Sequence, residues 1–163
     1  MRTEEEVKQA INRYGNTVKR VCVIYLKNSA DTEDIFQEVF IKYAARSPEF
    51  ESTEHEKAWV IRVAINECKD FLKSFYKRKF FPTSPHDLVD AKEAPLPEES
   101  SEVLETVLSL PRKYREVIYL FYFEEYTAVD IAEILDKKVN TIYTRLARAR
   151  DLLKAELGDE KNG

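Results

Sequence analysis

The most informative residues lie in the stretch 127–157, where a short apolar segment is followed by a longer basic one. The longer segment carries hydroxyl, phenol and guanidinium groups at helical spacing, on Thr141, Tyr143, Thr144, Arg145 and Arg148. Such groups can hydrogen-bond to base edges and phosphates in a DNA major groove, and residues three or four apart share one helix face. The spacing therefore favours a nucleic-acid-binding helix over an ordinary solvated charged face.

Caps and apolar periodicity predict a helix-turn-helix around this basic face. Thr127 and Asn140 are typical N-cap residues for the two helices, and Gly158 is typical of a helix end. The tight turn between the helices falls at 136–138. The residues expected to face the core are Val129, Ile131, Ala132, Leu135, Ile142, Leu146, Ala149 and Leu153.

Composition indicates an all-α protein without a nucleotide-binding loop. The 163 residues are 44% hydrophobic and 34% charged, and their only 3 glycines are Gly15, Gly158 and Gly163. None of these lies in a phosphate-cradling loop, which argues against P-loop and Rossmann enzymes. Cys22 and Cys68 have no CxxC partner and are expected to be buried free thiols. No long apolar span or signal peptide is visible, so a cytoplasmic protein is expected.

The net charge of −4 is unusual for a protein that binds DNA alone, but the charge is unevenly distributed. Basic residues concentrate at 69–79 and 137–154, and acidic residues concentrate between them. The stretch 80–99 holds four of the six prolines and lacks helical periodicity. We therefore expect helical domains at 1–79 and 100–163, joined by an extended linker at 80–99.

Three helices are predicted before the linker. Thr3 with Glu6, and Thr53 with Glu56, have the spacing of capping boxes, and Asp31 is a candidate N-cap for the second helix. The inner faces of the second and third helices are expected to contain Ile35, Val39, Phe40, Tyr43, Val60, Val63, Ala64, Phe71 and Phe75.

Three segments, in this order, resemble the sigma-70 family of RNA polymerase subunits, in its extracytoplasmic function (ECF) group. The segment at 31–43 reads DTEDIFQEVFIKY and resembles the part of the family that binds the clamp helices of RNA polymerase. The segment at 58–74 reads AWVIRVAINECKDFLKS and resembles the region 2 helix that opens the −10 promoter element. The segment at 110–153 resembles region 4, which binds the −35 element. The resemblance implies two small helical domains, sigma region 2 and sigma region 4.

The resemblance also implies roles for particular residues. Those implied to bind polymerase are Asp31, Asp34, Ile35, Gln37, Glu38 and Phe40. Those implied to bind the −10 element are Trp59, Arg62, Asn66, Lys69, Asp70 and Lys73, beside a loop at 47–56 that would hold a splayed strand. Those implied to bind the −35 element are Lys138, Asn140, Thr141, Tyr143, Thr144, Arg145 and Arg148. The chain departs from the family pattern at Asp136, where the turn often has Gly, and at Ile65, where Arg is usual.

The implied partners are core RNA polymerase, promoter DNA and an anti-sigma factor, with no cofactor, metal or membrane insertion. The alternative is a stand-alone helix-turn-helix transcriptional regulator, although such regulators usually dimerise and no long heptad seam is present. An enzyme is not expected, because His55 and His86 share no helix and no Cys/His cluster has metal-ligand spacing. Trp59 is compatible with a core position or with a stacking platform for bases.

Overall fold

The computed structural model describes residues 1–27, 31–79 and 102–162, and every regular element in these ranges is helical. For residues 75–79 and 158–162 only the backbone is described. The predicted linker at 80–99 lies outside the described residues. The chain divides into two units, Met1–Leu96 and Pro97–Gly163. Across the described ranges, no helix is long and apolar enough to cross a membrane.

Unit 1 contains α1 (Glu4–Leu26), α2 (Thr32–Arg46) and α3 (Thr53–Lys79), each packed against the other two. The predicted inner faces of α2 and α3 are confirmed at Ile35, Val39, Phe40, Tyr43, Val60 and Ala64, which are buried, whereas Val63 and Phe71 are half-buried. Ile61 and Ile65 are also buried, although the apolar face expected for α3 omitted them. The buried face of α3 is wider than one stripe because this helix contacts both α1 and α2.

The two cysteines lie opposite each other in this core, on α1 and α3. Cys22 and Cys68 are buried and free, which confirms the prediction, and their Sγ atoms are 4.0 Å apart. The hydrogen bond with Cys22, together with burial, raises the pKa of the Cys68 thiol. Because the thiolate is the reactive form, the Cys68 thiol should be inert at neutral pH.

The buried carboxylate of Glu56 joins all three helices of unit 1. It accepts hydrogen bonds from the phenols of Tyr14 (2.7 Å) and Tyr43 (2.8 Å). It also forms an ion pair with Arg13 (3.1 Å). Burial alone would raise the pKa of Glu56, but the phenols and the Arg13 charge outweigh it and the pKa is lowered. Burial and the hydrogen bond to this carboxylate raise the pKa of Tyr14 to about 12.

At the starts of α2 and α3, the predicted capping box was wrong and the predicted N-cap position was confirmed. Thr53 and Glu56 form no capping box, because Glu56 points into the core and the Ser52 hydroxyl accepts from the His55 amide at 3.1 Å. Asp31 occupies the N-cap position of α2 but makes no side-chain cap hydrogen bond. At α1, the Thr3 hydroxyl accepts from the Glu6 amide as expected.

Unit 2 contains α4 (Glu102–Ser109), α5 (Arg112–Ile118), a π-helical turn (Tyr119–Phe123), α6 (Ala128–Leu135) and α7 (Val139–Asn162). The long helix α7 packs against α4, α5 and α6. Its predicted core residues Ile142, Leu146 and Ala149 are buried, whereas Leu153, also predicted for the core, is half-buried. The side chains of Val107, Val117, Leu120 and Ile131, on the other elements of this unit, are also nearly inaccessible.

The helix-turn-helix is present, with two differences at the ends of α7. Thr127 caps α6 in a reciprocal capping box with Asp130, and Asp136 takes the left-handed conformation (φ 54°, ψ 53°) that ends α6. The second helix begins at Val139, because the Lys138 carbonyl accepts from the next-turn amides, so Asn140 is not its N-cap. Gly158 does not stop α7, which continues to Asn162.

The helix that begins at Arg112 ends in a π-helical turn, and Phe123 at the end of this turn is 45% exposed. The Glu124 amide donates to the Tyr119 carbonyl five residues earlier, at 3.2 Å. One wide turn of this kind shifts every following side chain relative to a 3.6-residue period. On α6, Ile131, Ala132 and Leu135 are buried as predicted, but the prediction for Val129 was wrong, since Val129 is 61% exposed. At 3.6 residues per turn, Val129 lies on the side of the helix opposite Ile131 and Leu135.

Replacing Glu56 with Gln should destabilise unit 1 by about 2 kcal/mol, because hydrogen bonds to a charged acceptor are weakened and one phenol loses its partner. Urea unfolding followed by the fluorescence of Trp59, the single tryptophan, would measure this in the full chain. The exposed Glu54→Gln change is the control and should cost less than about 1 kcal/mol.

The pH dependence provides a second check on the same variant. A carboxyl whose folded pKa is lowered stabilises the fold above its ordinary value of 4.5, and that contribution disappears as the pH falls through the folded pKa. The stability difference between wild type and E56Q should therefore shrink below pH 4.5. Equal stability of E56Q and E54Q at pH 7 would contradict the assigned role of Glu56.

Candidate nucleic-acid interfaces

A concave surface of about 380 Å³ lies between α5 and the second helix of the helix-turn-helix. Five of the residues predicted for −35 binding line it, together with two residues of α5; they are Lys113, Tyr114, Asn140, Thr141, Thr144, Arg145 and Arg148. Lys138 and Tyr143 lie outside this lining but are exposed on the same motif. Periodicity within one helix could not find Lys113 and Tyr114, because they reach the surface from a different helix.

The two arginines of this surface are held differently. The Arg145 guanidinium lies 3.7 Å from the Glu116 carboxylate, and their side chains are only 22% and 5% exposed. Arg148, one turn further, is exposed. A buried carboxylate beneath a guanidinium restricts its direction, whereas an exposed arginine can adapt to a ligand.

The Thr144 hydroxyl has a defined direction. It donates to the Asn140 carbonyl one turn earlier, at 3.0 Å. Its hydrogen is thereby committed to the helix, while its oxygen can still accept from a donor on a base edge.

The residues predicted for −10 binding share one side of α3 in unit 1. Arg62, Asn66, Asp70 and Lys73 are exposed, whereas Trp59 and Lys69 are half-buried. The Lys69 ammonium lies 5.9 Å from the centre of the Tyr25 ring on α1.

Trp59 belongs to an aromatic cluster that backs the loop before α3. Its ring packs edge-on against Tyr43 and Phe50, with centroid distances of 6.1 and 5.8 Å. Trp59 is half-buried, so part of the residue remains accessible to solvent. Ile65, which precedes Asn66, is 2% exposed and belongs to the core rather than to this face.

The face predicted to bind polymerase needs a correction. Asp34, Gln37 and Glu38 are exposed on α2 and Asp31 is half-exposed, but Ile35 and Phe40 are each 4% exposed. The last two are buried in the core of unit 1 and therefore do not belong to the exposed face of α2. Ile41, which the sequence interpretation omitted, lies three and four residues from Glu38 and Gln37 and is 58% exposed on the same side.

Family models match both units in the predicted order. Residues 10–78 match sigma-70 region 2, and residues 100–153 match sigma-70 region 4. The ECF RNA polymerase sigma factor SigW of Bacillus subtilis is 30% identical over 171 residues, covering 91% of this chain and 87% of that protein. The ECF RNA polymerase sigma-E factor of Escherichia coli K12 is 31% identical over 157 residues, covering 86% and 81%.

The chain belongs to the ECF group of the sigma-70 family. An ECF sigma factor binds core RNA polymerase and promoter DNA and directs the initiation of transcription, and it is not an enzyme. This sets aside the stand-alone regulator, because the region 2 match covers the helices of unit 1.

Solved structures of similar fold support the same architecture. CnrH, solved with the cytosolic domain of CnrY, has a TM-score of 0.66 at 20% identity and covers 96% of this chain and 90% of its own. The sigma factor RpoE of Bartonella quintana, solved with the anti-sigma factor NepR, has a TM-score of 0.69 at 21% identity and covers 94% and 98%. At these identities the likeness establishes the fold.

Proposed function

We propose that this sigma factor holds a promoter at two places, with the concave surface of unit 2 on the −35 element and the exposed side of α3 on the −10 element. The convergence of five predicted −35 residues with Lys113 and Tyr114 on one concave surface carries the proposal. The domain bounds are 1–79 for region 2 and 100–163 for region 4, with residues 80–99 as the tether. Two contacts on one chain make the second binding event intramolecular, which offsets the weak affinity expected of an acidic protein.

On the −35 element, Arg148 reads a base edge and Arg145 is held in place by Glu116. Arg148 is exposed, lines the concave surface and can turn towards guanine O6 and N7, the commonest arginine target in a major groove. Lys113 and Lys138 are exposed at the edges of the motif and contact phosphates. The Thr144 oxygen accepts from a base amino group.

Replacing Arg148 with Ala should cost about 1–3 kcal/mol of −35 affinity and relax the sequence preference at one position. Replacing Lys138 with Ala should weaken all sequences alike and lower the slope of affinity against salt concentration. Lys154→Ala is the matched control, because Lys154 is exposed on α7 but outside the concave surface. Binding of holoenzyme to a panel of single-base −35 variants would measure both effects. An R148A protein with the wild-type preference at every position would refute the assignment.

On the −10 element, α3 and the preceding loop capture a separated strand. Lys69 and Lys73 lie one turn apart and neutralise phosphates, while the half-buried Trp59 and the exposed Asn66 contact bases. Flipping a base costs a few kcal/mol, about what one stacking contact and one pair of edge hydrogen bonds can return.

Replacing Lys69 and Lys73 together with Ala should reduce promoter opening while closed-complex binding persists, because the phosphate contacts on α3 form only with the separated strand. Permanganate reactivity of unpaired thymines in the −10 element would measure opening. Lys8→Ala with Lys19→Ala removes the same charge from exposed positions on α1 and is the control. Wild-type opening by the K69A/K73A protein would count against this assignment.

Polymerase binds the exposed face of α2, formed by Asp34, Gln37, Glu38 and Ile41. An apolar side chain that is 58% exposed amid carboxylates and an amide has the composition of an interface centre with a polar rim. Ile35 and Phe40 support this face from within the core.

Ile41→Ala and Asp34→Lys should each weaken competition for core polymerase, by about tenfold for a contact at the centre of the interface. Neither should reduce the helical circular dichroism, because surface changes move stability by less than about 0.5 kcal/mol. The exposed Glu5→Lys change on α1 is the charge-reversal control. If both variants competed for core polymerase as well as the wild type, this face of α2 would not be the polymerase-binding surface.

The chain acts in the cytoplasm, where core polymerase and chromosomal DNA are found, and an anti-sigma factor holds it inactive. Two proteins of similar fold were solved with such partners, the cytosolic domain of CnrY in one case and the anti-sigma factor NepR in the other. Loss of polymerase competition on adding a co-purified partner, and its recovery on removing that partner, would test this.

A further inference from the structure

Arg2 connects the start of the chain to the loop between α2 and α3. Its Nε donates to the Ser47 hydroxyl at 2.9 Å, and one of its terminal nitrogens donates to the Pro48 carbonyl. Its backbone amide donates to the Ala44 carbonyl at 2.9 Å, and its other terminal nitrogen pairs with Glu6 at 3.3 Å. The side chain is only 17% exposed, so it is fixed along its length.

The same guanidinium also lies over the rings of Tyr43 and Phe50, which belong to the aromatic cluster beside the loop. Its central carbon lies 5.4 Å from the centre of the Tyr43 ring and 5.2 Å from that of Phe50. Phe50 belongs to the loop and stacks on Tyr43, with centroids 6.2 Å apart. Arg2 therefore contacts both ends of the stretch 47–50, through hydrogen bonds at Ser47 and Pro48 and through the ring of Phe50.

Besides Arg2, the ends of this stretch are held by the Ser47 hydroxyl, which donates to the Tyr43 carbonyl, and by the Phe50 ring, which packs against Trp59 and His55. The residues between and after them are open to solvent. Pro48, Glu49, Glu51 and Ser52 are exposed, and the His55 ring accepts from the Glu51 amide at a long 3.3 Å. Fixing an exposed loop costs conformational entropy for each residue, and a loop fixed before binding removes that cost from the binding step.

We propose that Arg2 is a positioning residue that holds the loop 47–52 in the conformation that receives the separated −10 strand. The proposal rests on the proposed −10 assignment of α3 and its loop. Arg2 itself touches no DNA; it acts through Ser47, Pro48 and Phe50. A lysine could not replace it, because a single ammonium cannot reach several acceptors and cover two rings at once.

The test compares Arg2→Ala and Arg2→Lys with Lys8→Ala, which removes an exposed cation from the same end of the chain. Loop order is measured by a glutamate-specific protease, because Glu49 and Glu51 both lie exposed in the loop and their cleavage is separable by mass spectrometry. Strand capture is measured as the affinity of holoenzyme for a single-stranded −10 oligonucleotide, and −35 duplex affinity is measured in parallel. Unfolding followed by Trp59 fluorescence reports whether unit 1 remains folded.

We expect faster cleavage at Glu49 and Glu51 in R2A and R2K, and an affinity for the −10 strand lowered about tenfold, the effect of losing one charge-assisted contact. The −35 affinity and all properties of K8A should stay at wild-type values. R2A and R2K should lower the unfolding midpoint by the contacts they lose, while unit 1 remains folded under the conditions of both assays. Wild-type cleavage rates in R2A would overturn the proposal, because the loop would then be ordered without Arg2.

Failure of this proposal can be distinguished from failure of the −10 assignment. If R2A bound the −10 strand normally while K69A/K73A did not, Arg2 would have no positioning role and the assignment of α3 would stand. If both variants bound the strand normally, the −10 assignment itself would fail, and the role of Arg2 with it.

Discussion

A buried carboxylate must find hydrogen-bond donors or cations, and this requirement fixes the geometry of both units. In unit 1, Glu56 accepts hydrogen bonds from a phenol of α1 and a phenol of α2 and pairs with a guanidinium of α1. These contacts fix the position of the first turn of α3 relative to the other two helices. In unit 2, Glu116 of α5 takes the Arg145 guanidinium from α7. Each helix proposed to contact DNA is therefore tied to its neighbours by a charge that cannot be left unpaired.

These ties lie close to the surfaces proposed to act on DNA. Glu56 is three residues before Trp59, and its partner Tyr43 is also in contact with Phe50 and Arg2. The loop, the aromatic cluster and the exposed side of α3 thus share one point of attachment to the core. Rigid support of this kind reduces the entropy lost when a flexible strand binds, which matters for a step that must also recover the cost of base flipping.

Sequence patterns predicted the features that depend on neighbours along the chain. The Thr127 cap, the turn at Asp136 and the burial of Ile142, Leu146 and Ala149 all follow from local chemistry or from a single helical period. The family resemblance, carried by three short segments, identified the function that the comparisons then established.

Features set by contacts between distant residues were not predictable in this way. Glu56 has the spacing of a capping box, and only the approach of Tyr14 and Tyr43 shows that its carboxylate is in the core. Lys113 reaches the −35 surface from another helix, and Arg2 reaches a loop 45 residues away, so no periodicity within one element contains them. Ile41 and Ile35 are the same residue type on the same helix, but Ile35 lies on the side that packs in the core and Ile41 on the side exposed to solvent.

One chain is proposed to read two separate promoter elements together with core polymerase. The most direct measurement selects binding sites from a randomised DNA pool, with core polymerase plus this chain, with core polymerase alone and with the chain alone. We expect two enriched elements at a constant separation of about two helical turns, found only when chain and polymerase are combined. A single enriched element, or the same pair selected without polymerase, would contradict the account.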